Sequence, residues 1–121
     1  MKTISVMIPC YNEEENVKAI SEAVIREITT NLPSYDYEIL FIDNDSTDRT
    51  REYLREICAD NSKIRAIFNA KNFGQFNSPY YGICQTSGDC TICLCCDFQD
   101  PVEMIPRLVE EWEKGDRKSV V

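Results

Sequence analysis

The run Cys95-Cys96-Asp97-Phe98-Gln99-Asp100-Pro101 places two carboxylates and an amide directly after the apolar stretch Thr91-Ile92-Cys93-Leu94. Asp97 and Gln99 lie two residues apart, so in an extended segment both side chains leave on the same side. Two oxygen donors at a strand end suit a hard cation holding phosphates. Asp100 fits a helix N-cap, Pro101 the first helical position and Glu103 the capping-box position. Capping accounts for Asp100 and leaves Asp97 and Gln99 for chemistry.

Two upstream turns carry the same kind of side chain. In Pro9-Cys10-Tyr11-Asn12-Glu13, Tyr11 can stack on a base and Glu13 can accept from base or ribose. In Ile42 to Thr50, Asp43 closes an apolar run and suits a base N–H or a ribose hydroxyl. Asp45, Ser46 and Asp48 read as turn and cap residues. The four glycines, at 74, 82, 88 and 115, form no phosphate-cradling loop. A nucleotide here would depend on side chains and a cation. With no histidine in the chain, a Ser-His or Cys-His nucleophile is excluded.

The elements that must position these turns alternate between strand and helix. Thr3 to Ile8 is a strand that stops at Pro9, and Asn12 with Glu15 is a cap and N3 pair. Val17, Ile20, Val24 and Ile28 then recur at helical spacing until Pro33 and Ser34. Glu38 to Ile42 is the continuous apolar run of a covered parallel strand. A second helix buries Tyr53, Leu54, Ile57 and Cys58, and Ile64 to Phe68 is a third strand. Gln75 to Thr86 reads as a helix interrupted by Pro79. Thr91 to Cys95 is the fourth strand, followed by a helix with Val102, Ile105, Leu108, Val109 and Trp112 inside and Gly115 as its stop. Arg117 to Val121 starts another strand. The alternation specifies an α/β fold: a three-layer, mostly parallel, doubly wound sheet, with the three acidic turns gathered on its carboxyl edge.

Composition narrows the function classes. The 121 residues make one domain, and the net charge of −8 with no basic face argues against a nucleic-acid partner. No stretch approaches the roughly 18 apolar residues of a membrane span, and the N-terminus lacks the cleavage signature of a signal peptide. A soluble, cytoplasmic chain is expected. Seven cysteines are many for this length, but Cys90-x-x-Cys93 and Cys93-x-x-Cys96 fall on a strand. Residues three apart on a strand face opposite sides, so these pairs cannot clamp one metal. Buried thiols of a reduced protein are expected instead.

The segments SVMIPCYNEEENV, IDNDSTDRT, KNFGQ (Lys71 to Gln75) and TSGDCTICLCCDFQDP, in that order, resemble glycosyltransferase family 2 with its GT-A fold. The Gln-Asp-Pro ending resembles the branch of dolichol-phosphate mannose synthases and bacterial polyprenyl-phosphate glycosyltransferases. The resemblance implies that residues 1–121 are the N-terminal, nucleotide-diphospho-sugar-binding part of a transferase truncated at its C-terminus. It implies that Pro9, Tyr11, Glu13 and Asp43 embrace the base, and that Asp97 and Gln99 hold Mg2+ or Mn2+ against the diphosphate. Lys71, Asn72, Gly74 and Asp89 would line the wall nearby, with Lys71 and Asp97 also on the nucleotide. The implied reaction passes a sugar from a UDP- or GDP-sugar to a lipid-linked (polyprenyl) phosphate, with inversion, for cell-wall or surface glycans. The general base, the acceptor side and any attachment to the cytoplasmic face of a membrane would lie beyond residue 121.

Two positions depart from the family pattern. Cys95 stands where its first metal-site Asp belongs, and Asp45 stands for a glycine, so a turn of different shape is expected there. Cys95 also favours a second reading, a catalytically degenerate homologue that holds a nucleotide sugar without turnover. A receiver-like regulatory domain is a third, but the Gln-Asp-Pro turn has no role in that scheme.

Overall fold

In the computed structural model, which describes residues 2–69, 89–96 and 101–114, β-branched runs form strands and i, i+3, i+4 apolar patterns form helices. The elements in chain order are β1 (Thr3–Cys10), α1 (Val17–Asn31), β2 (Asp36–Asp43), α2 (Thr50–Asp60), β3 (Ile64–Phe68), β4 (Cys90–Cys93) and α3 (Met104–Glu113). The strands make one parallel sheet in the order β3-β2-β1-β4. Thr3 to Cys10 of β1 pair with Asp36 to Asp43 of β2, and Ile39 to Asp43 pair with Ile64 to Phe68 of β3. On the other side of β1, Ile4 to Met7 pair with Cys90 to Cys93. The chain thus winds outward from β1 through β3 and then returns to β1's opposite flank. Such a reversal leaves a crevice between β1 and β4 at the carboxyl edge, where open α/β sheets bind ligands.

One face of the sheet supports all three helices of the described residues. Ile4, Val6, Ile8, Ile39 and Phe41 pack there with Val17, Ile20, Val24 and Ile28 of α1, Leu54 of α2, and Ile105, Val109 and Trp112 of α3. These are the stripes expected from the helical periodicities. Met7, Leu40 and Ile42 are buried on the opposite face, with Ile67 and Cys93 against them. The period-2 alternation of a strand sorts each strand's side chains between these two layers.

Four local expectations are revised. The first strand runs through Pro9 to Cys10, with Pro9 opposite Ile42. Met7 O accepts from Leu94 N at 3.0 Å and Cys10 O from Asn44 N at 2.9 Å. Odd residues of β1 therefore face β4 and even ones face β2. The N–H that proline lacks would point toward β4, where the ladder has already ended at Met7 and Cys93. The missing N–H of Pro9 thus falls just past the paired residues and costs the sheet no bond.

Asn12 is not the cap of α1. That helix starts at Val17 after Asn16, from a turn in which Asn16 N and Val17 N both donate to Glu13 O, at 3.0 and 3.1 Å. The last helix also starts later than its capping box implies. Met104 N donates to Pro101 O and Ile105 N to Val102 O, a tight turn that precedes α3, and Glu103 makes no side-chain cap. The fourth strand is Cys90–Cys93 rather than 91 to 95. The expected helix from 75 to 86, the strand from 117 and the Gly115 stop lie outside the described residues.

Cysteine placement follows the strand argument. Cys90 and Cys96 belong to the helix-bearing face and Cys93 to the other. Cys10, Cys58, Cys90, Cys93, Cys95 and Cys96 are all thiols. Burial pushes the Cys58 and Cys90 thiols above their ordinary value. No metal-holding group of His, Cys, Asp or Glu occurs among the described residues. No helix among them is long and apolar enough to cross a membrane.

Candidate functional site

The turns after β1 and β2 meet at the carboxyl edge and are clasped together by side chains. Asn12 adopts φ 53°, in the left-handed region that asparagine tolerates better than most residues. Its side-chain Oδ1 accepts from Thr47 N at 2.8 Å and from Thr47 Oγ1 and Asp48 N at 3.3 Å. In return Asn12 N donates to Ser46 Oγ at 2.9 Å, Glu13 N to Thr50 Oγ1 at 2.9 Å and Glu14 N to Asp48 Oδ2 at 3.3 Å. Backbone donors of the first turn are thus satisfied by hydroxyls and a carboxylate of the second. Tyr11 stands on this clasp at 46% exposure, the one exposed large hydrophobic side chain among the described residues. Such exposure suits a ring waiting for a stacking partner. The Glu13 carboxylate is steadied through Oε2, which accepts from Asn16 Nδ2 at 2.8 Å.

Asp43 lies at the bottom of the clasp and is fully buried. Its Oδ1 accepts from Ser46 Oγ, and its Oδ2 from Ser46 N at 3.1 Å and from Arg51 Nε at 2.5 Å. Arg51 Nη2 donates onward to Asn69 O, just past β3. Asn69 N donates back to Asp43 O at 2.9 Å. Arg51 and Asn69 are invisible to motif reasoning, because an arginine on a helix and an asparagine in a loop carry no spacing signal. Only the parallel pairing of β2 and β3, which ends with Asp43 opposite Phe68, brings both to Asp43, Arg51 at its carboxylate and Asn69 at its main-chain oxygen.

The turn and cap roles expected of Ser46 and Asp48 are present. Asp48 Oδ1 accepts from Thr50 N at 2.9 Å and from Thr50 Oγ1, satisfying donors at the start of α2. Burial pushes the Asp48 carboxyl up, but the Thr50 hydroxyl and the Thr50 and Glu14 N–H groups outweigh it and hold it below the usual carboxylate range. A group whose folded value is depressed stabilises the fold above its unfolded value, near 3.9, and loses that contribution as pH falls through its folded value. Unfolding free energy should therefore decline as pH is lowered below about 4. Asp48→Ala should remove part of that decline and cost about 1 kcal/mol at neutral pH, as loss of a helix cap does. Urea titrations of both proteins at pH 3 to 7 measure this.

Asp45, expected to reshape its turn, instead takes φ 65°, the conformation that a glycine at this position would supply. The turn keeps its glycine-like path because aspartate tolerates the left-handed region. Asp45→Gly is expected to leave stability within about 0.5 kcal/mol, and Asp45→Ala to cost about 1 kcal/mol. Equal effects of the two substitutions in chemical denaturation would contradict this.

Cys10 closes the first strand beside these carboxylates. Burial, and then the neighbouring Cys96, Asp43, Glu13 and Asp48, push its thiol far above the ordinary value. It stays neutral, donates to Ile42 O at 3.6 Å and is no nucleophile. Across the crevice, Leu94 and Cys96 are buried at the end of β4 and Cys95 is exposed.

Four of the anticipated residues, Pro9, Tyr11, Glu13 and Asp43, thus fall on one edge. Asp89 does not join them. Its Oδ2 accepts from Thr3 N at 2.9 Å, at the amino-terminal edge where β1 begins. The residue precedes β4, whereas the site lies beyond the strands' carboxyl ends. Lys71, Asn72, Gly74, Asp97, Gln99 and Asp100 lie outside the described residues.

Comparison with known proteins identifies the family and the fold. Residues 5–121 match the family described as Glycosyl transferase family 2. A bactoprenol glucosyl transferase of Shigella phage SfX is 35% identical over 93% of this chain and 36% of its own. The undecaprenyl-phosphate 4-deoxy-4-formamido-L-arabinose transferase of Pectobacterium carotovorum subsp. carotovorum (strain PC1) is 40% identical over 95% and 35%, respectively. Among solved structures, the mannosyltransferase PcManGT from Pyrobaculum calidifontis, in complex with GDP-Man and Mn2+, superposes with a TM-score of 0.75. It is 15% identical, with 93% of this chain and 32% of that one covered. S. aureus TarS 1-349 in complex with UDP gives a TM-score of 0.72 at 18% identity, over 94% and 32%. At such identities these two structures speak for the fold, a GT-A-like parallel α/β sheet. The chain spans about a third of the length of each of these proteins. It belongs to glycosyl transferase family 2.

Proposed function

We propose that this chain is the donor-binding part of a glycosyltransferase that passes a sugar from a nucleotide sugar, UDP- or GDP-linked, to a lipid-linked phosphate. The observation that carries the reading is the clasp of the β1 and β2 turns, which bears exposed Tyr11 and buried Asp43 on the sheet's carboxyl edge. Tyr11 would stack on the base, Glu13 and Asp43 would take its hydrogen bonds or those of the ribose, and Lys71 would approach the phosphates. The relatives named as bactoprenol and undecaprenyl-phosphate transferases support a polyprenyl phosphate acceptor.

The residue types that follow β4 in the sequence suit a hard divalent ion: Asp97 and Gln99, both oxygen donors, come soon after Leu94, whose N–H donates to Met7 O. Asp97 and Gln99 would hold Mg2+ or Mn2+, which as a Lewis acid offsets charge on the departing nucleoside diphosphate. An acceptor phosphate oxygen would attack the anomeric carbon from the opposite side, inverting it. For an acidic chain of net charge −8, such an ion also reduces repulsion of the diphosphate.

Cys95 favours one competing reading, a homologue that binds the donor but does not transfer. The two part on a single assay. Labelled UDP-glucose or GDP-mannose is incubated with polyprenyl phosphate, Mn2+ and the full-length protein, acceptor side included (this part alone is expected to be inactive), and label is counted in the organic phase. Transfer supports the enzyme; donor binding without transfer supports the degenerate homologue. Cys95→Asp should raise Mn2+-dependent donor affinity by about tenfold if residue 95 faces the ion. Unchanged affinity in calorimetry would show that it does not.

A further inference from the structure

We infer that Arg51 is a specificity-determining residue, which by occupying Asp43 Oδ2 leaves the carboxylate one acceptor position and so selects a base with a single N–H donor, uracil, over guanine. The inference rests on the proposed nucleotide site. A carboxylate offers about four acceptor positions on its two oxygens. Three are taken here: Oδ2 by Ser46 N and Arg51 Nε, and Oδ1 by Ser46 Oγ. The remaining position is on Oδ1.

None of the three donors is a loose side chain. Ser46 N is backbone, and Ser46 Oγ itself accepts from Asn12 N at 2.9 Å. Arg51 is anchored at its far end by Asn69 O, faces a second carboxylate at Asp45 Oδ1, 3.7 Å away, and lies over the Phe68 ring at 5.4 Å. Its place in the first turn of α2 opposes the helix dipole, so the helix itself gives no reason for a cation there. A base that reaches buried Asp43 must therefore displace covering groups and then fit the one open position.

The bases differ in what they offer. Uracil presents one imide N–H between two carbonyl oxygens. Guanine presents N1–H and the exocyclic amine side by side, an edge that pairs with both oxygens of a carboxylate. With Oδ2 filled, the guanine amine would be buried without an acceptor, a loss of roughly tenfold or more in affinity. Hypoxanthine keeps the purine frame and N1–H but lacks the amine. It separates hydrogen-bond selection from ring size.

The test is calorimetric titration of UDP, IDP and GDP, each with Mn2+, against the wild-type protein and Arg51→Met. The expected result is UDP binding tightest, IDP about tenfold tighter than GDP in the wild type, and that gap closed in R51M. Equal IDP and GDP affinities in the wild type, or GDP binding tightest, would overturn the inference while leaving the nucleotide site intact. Equal weakening of all three nucleotides in R51M would also overturn it, since a merely structural arginine would act that way. Should none of the three bind the wild type, the donor-site reading itself fails and the inference falls with it. Because R51M leaves a buried carboxylate less compensated, its folding is checked by circular dichroism; if it does not fold, the wild-type IDP-to-GDP ratio decides.

Discussion

Asp43→Ala is expected to destabilise the protein by about 3 kcal/mol and to abolish measurable nucleotide binding. The substitution strips Arg51 Nε and both Ser46 donors of their common acceptor in a buried setting. Removing one partner of a buried pair costs about 3–5 kcal/mol, because the remaining charge keeps its desolvation penalty. The lower end applies because the Arg51 side chain keeps 26% exposure and can recover some hydration. At roughly 4 °C per kcal/mol, the melting temperature should fall by about 12 °C. A shift below about 3 °C would mean that the Asp43–Arg51–Asn69 stitch does not hold the ends of β2 and β3 together.

Asp97→Ala should lower Mn2+-dependent donor affinity at least about a hundredfold while leaving thermal stability nearly unchanged. Losing even a group that only orients a metal ligand costs 10- to 100-fold, and Asp97 is proposed as a direct ligand. The contrast with Asp43 is the useful part: one carboxylate should matter to folding and binding, the other to binding alone. Titration of the donor with Mn2+ and then with EDTA reads the effect. An affinity that is the same in the two proteins, or in the two conditions, would remove Asp97 from the metal site.

The sequence made the scaffold legible where local pattern and tertiary need coincide. The Val17, Ile20, Val24, Ile28 stripe and the Ile105, Val109, Trp112 stripe are buried as their period requires, and Ile64–Phe68 is bounded as read. The convergence of Tyr11, Glu13 and Asp43 on one edge was legible too, because a parallel sheet places every post-strand turn there. What was not legible depends on partners distant in sequence. Asn12 looked like a cap because nothing nearby shows that Thr47 and Asp48 claim its side-chain Oδ1. Pro9 looked like a stop because its tolerance depends on where β4 stops pairing. Asp89 resembled a wall residue by motif, yet it precedes its strand and so falls at the wrong edge. Arg51 carried no signal at all, since its role exists only once β2, α2 and β3 are assembled.

The central claim is that the β1 and β2 turns form the base-binding half of a metal-dependent donor site. The most direct measurement is calorimetric titration of UDP and GDP against the wild-type protein with Mn2+ and again with EDTA. Saturable binding of at least one nucleotide, weakened about tenfold or more by EDTA, is the result the account predicts. No binding of either nucleotide under both conditions would contradict it.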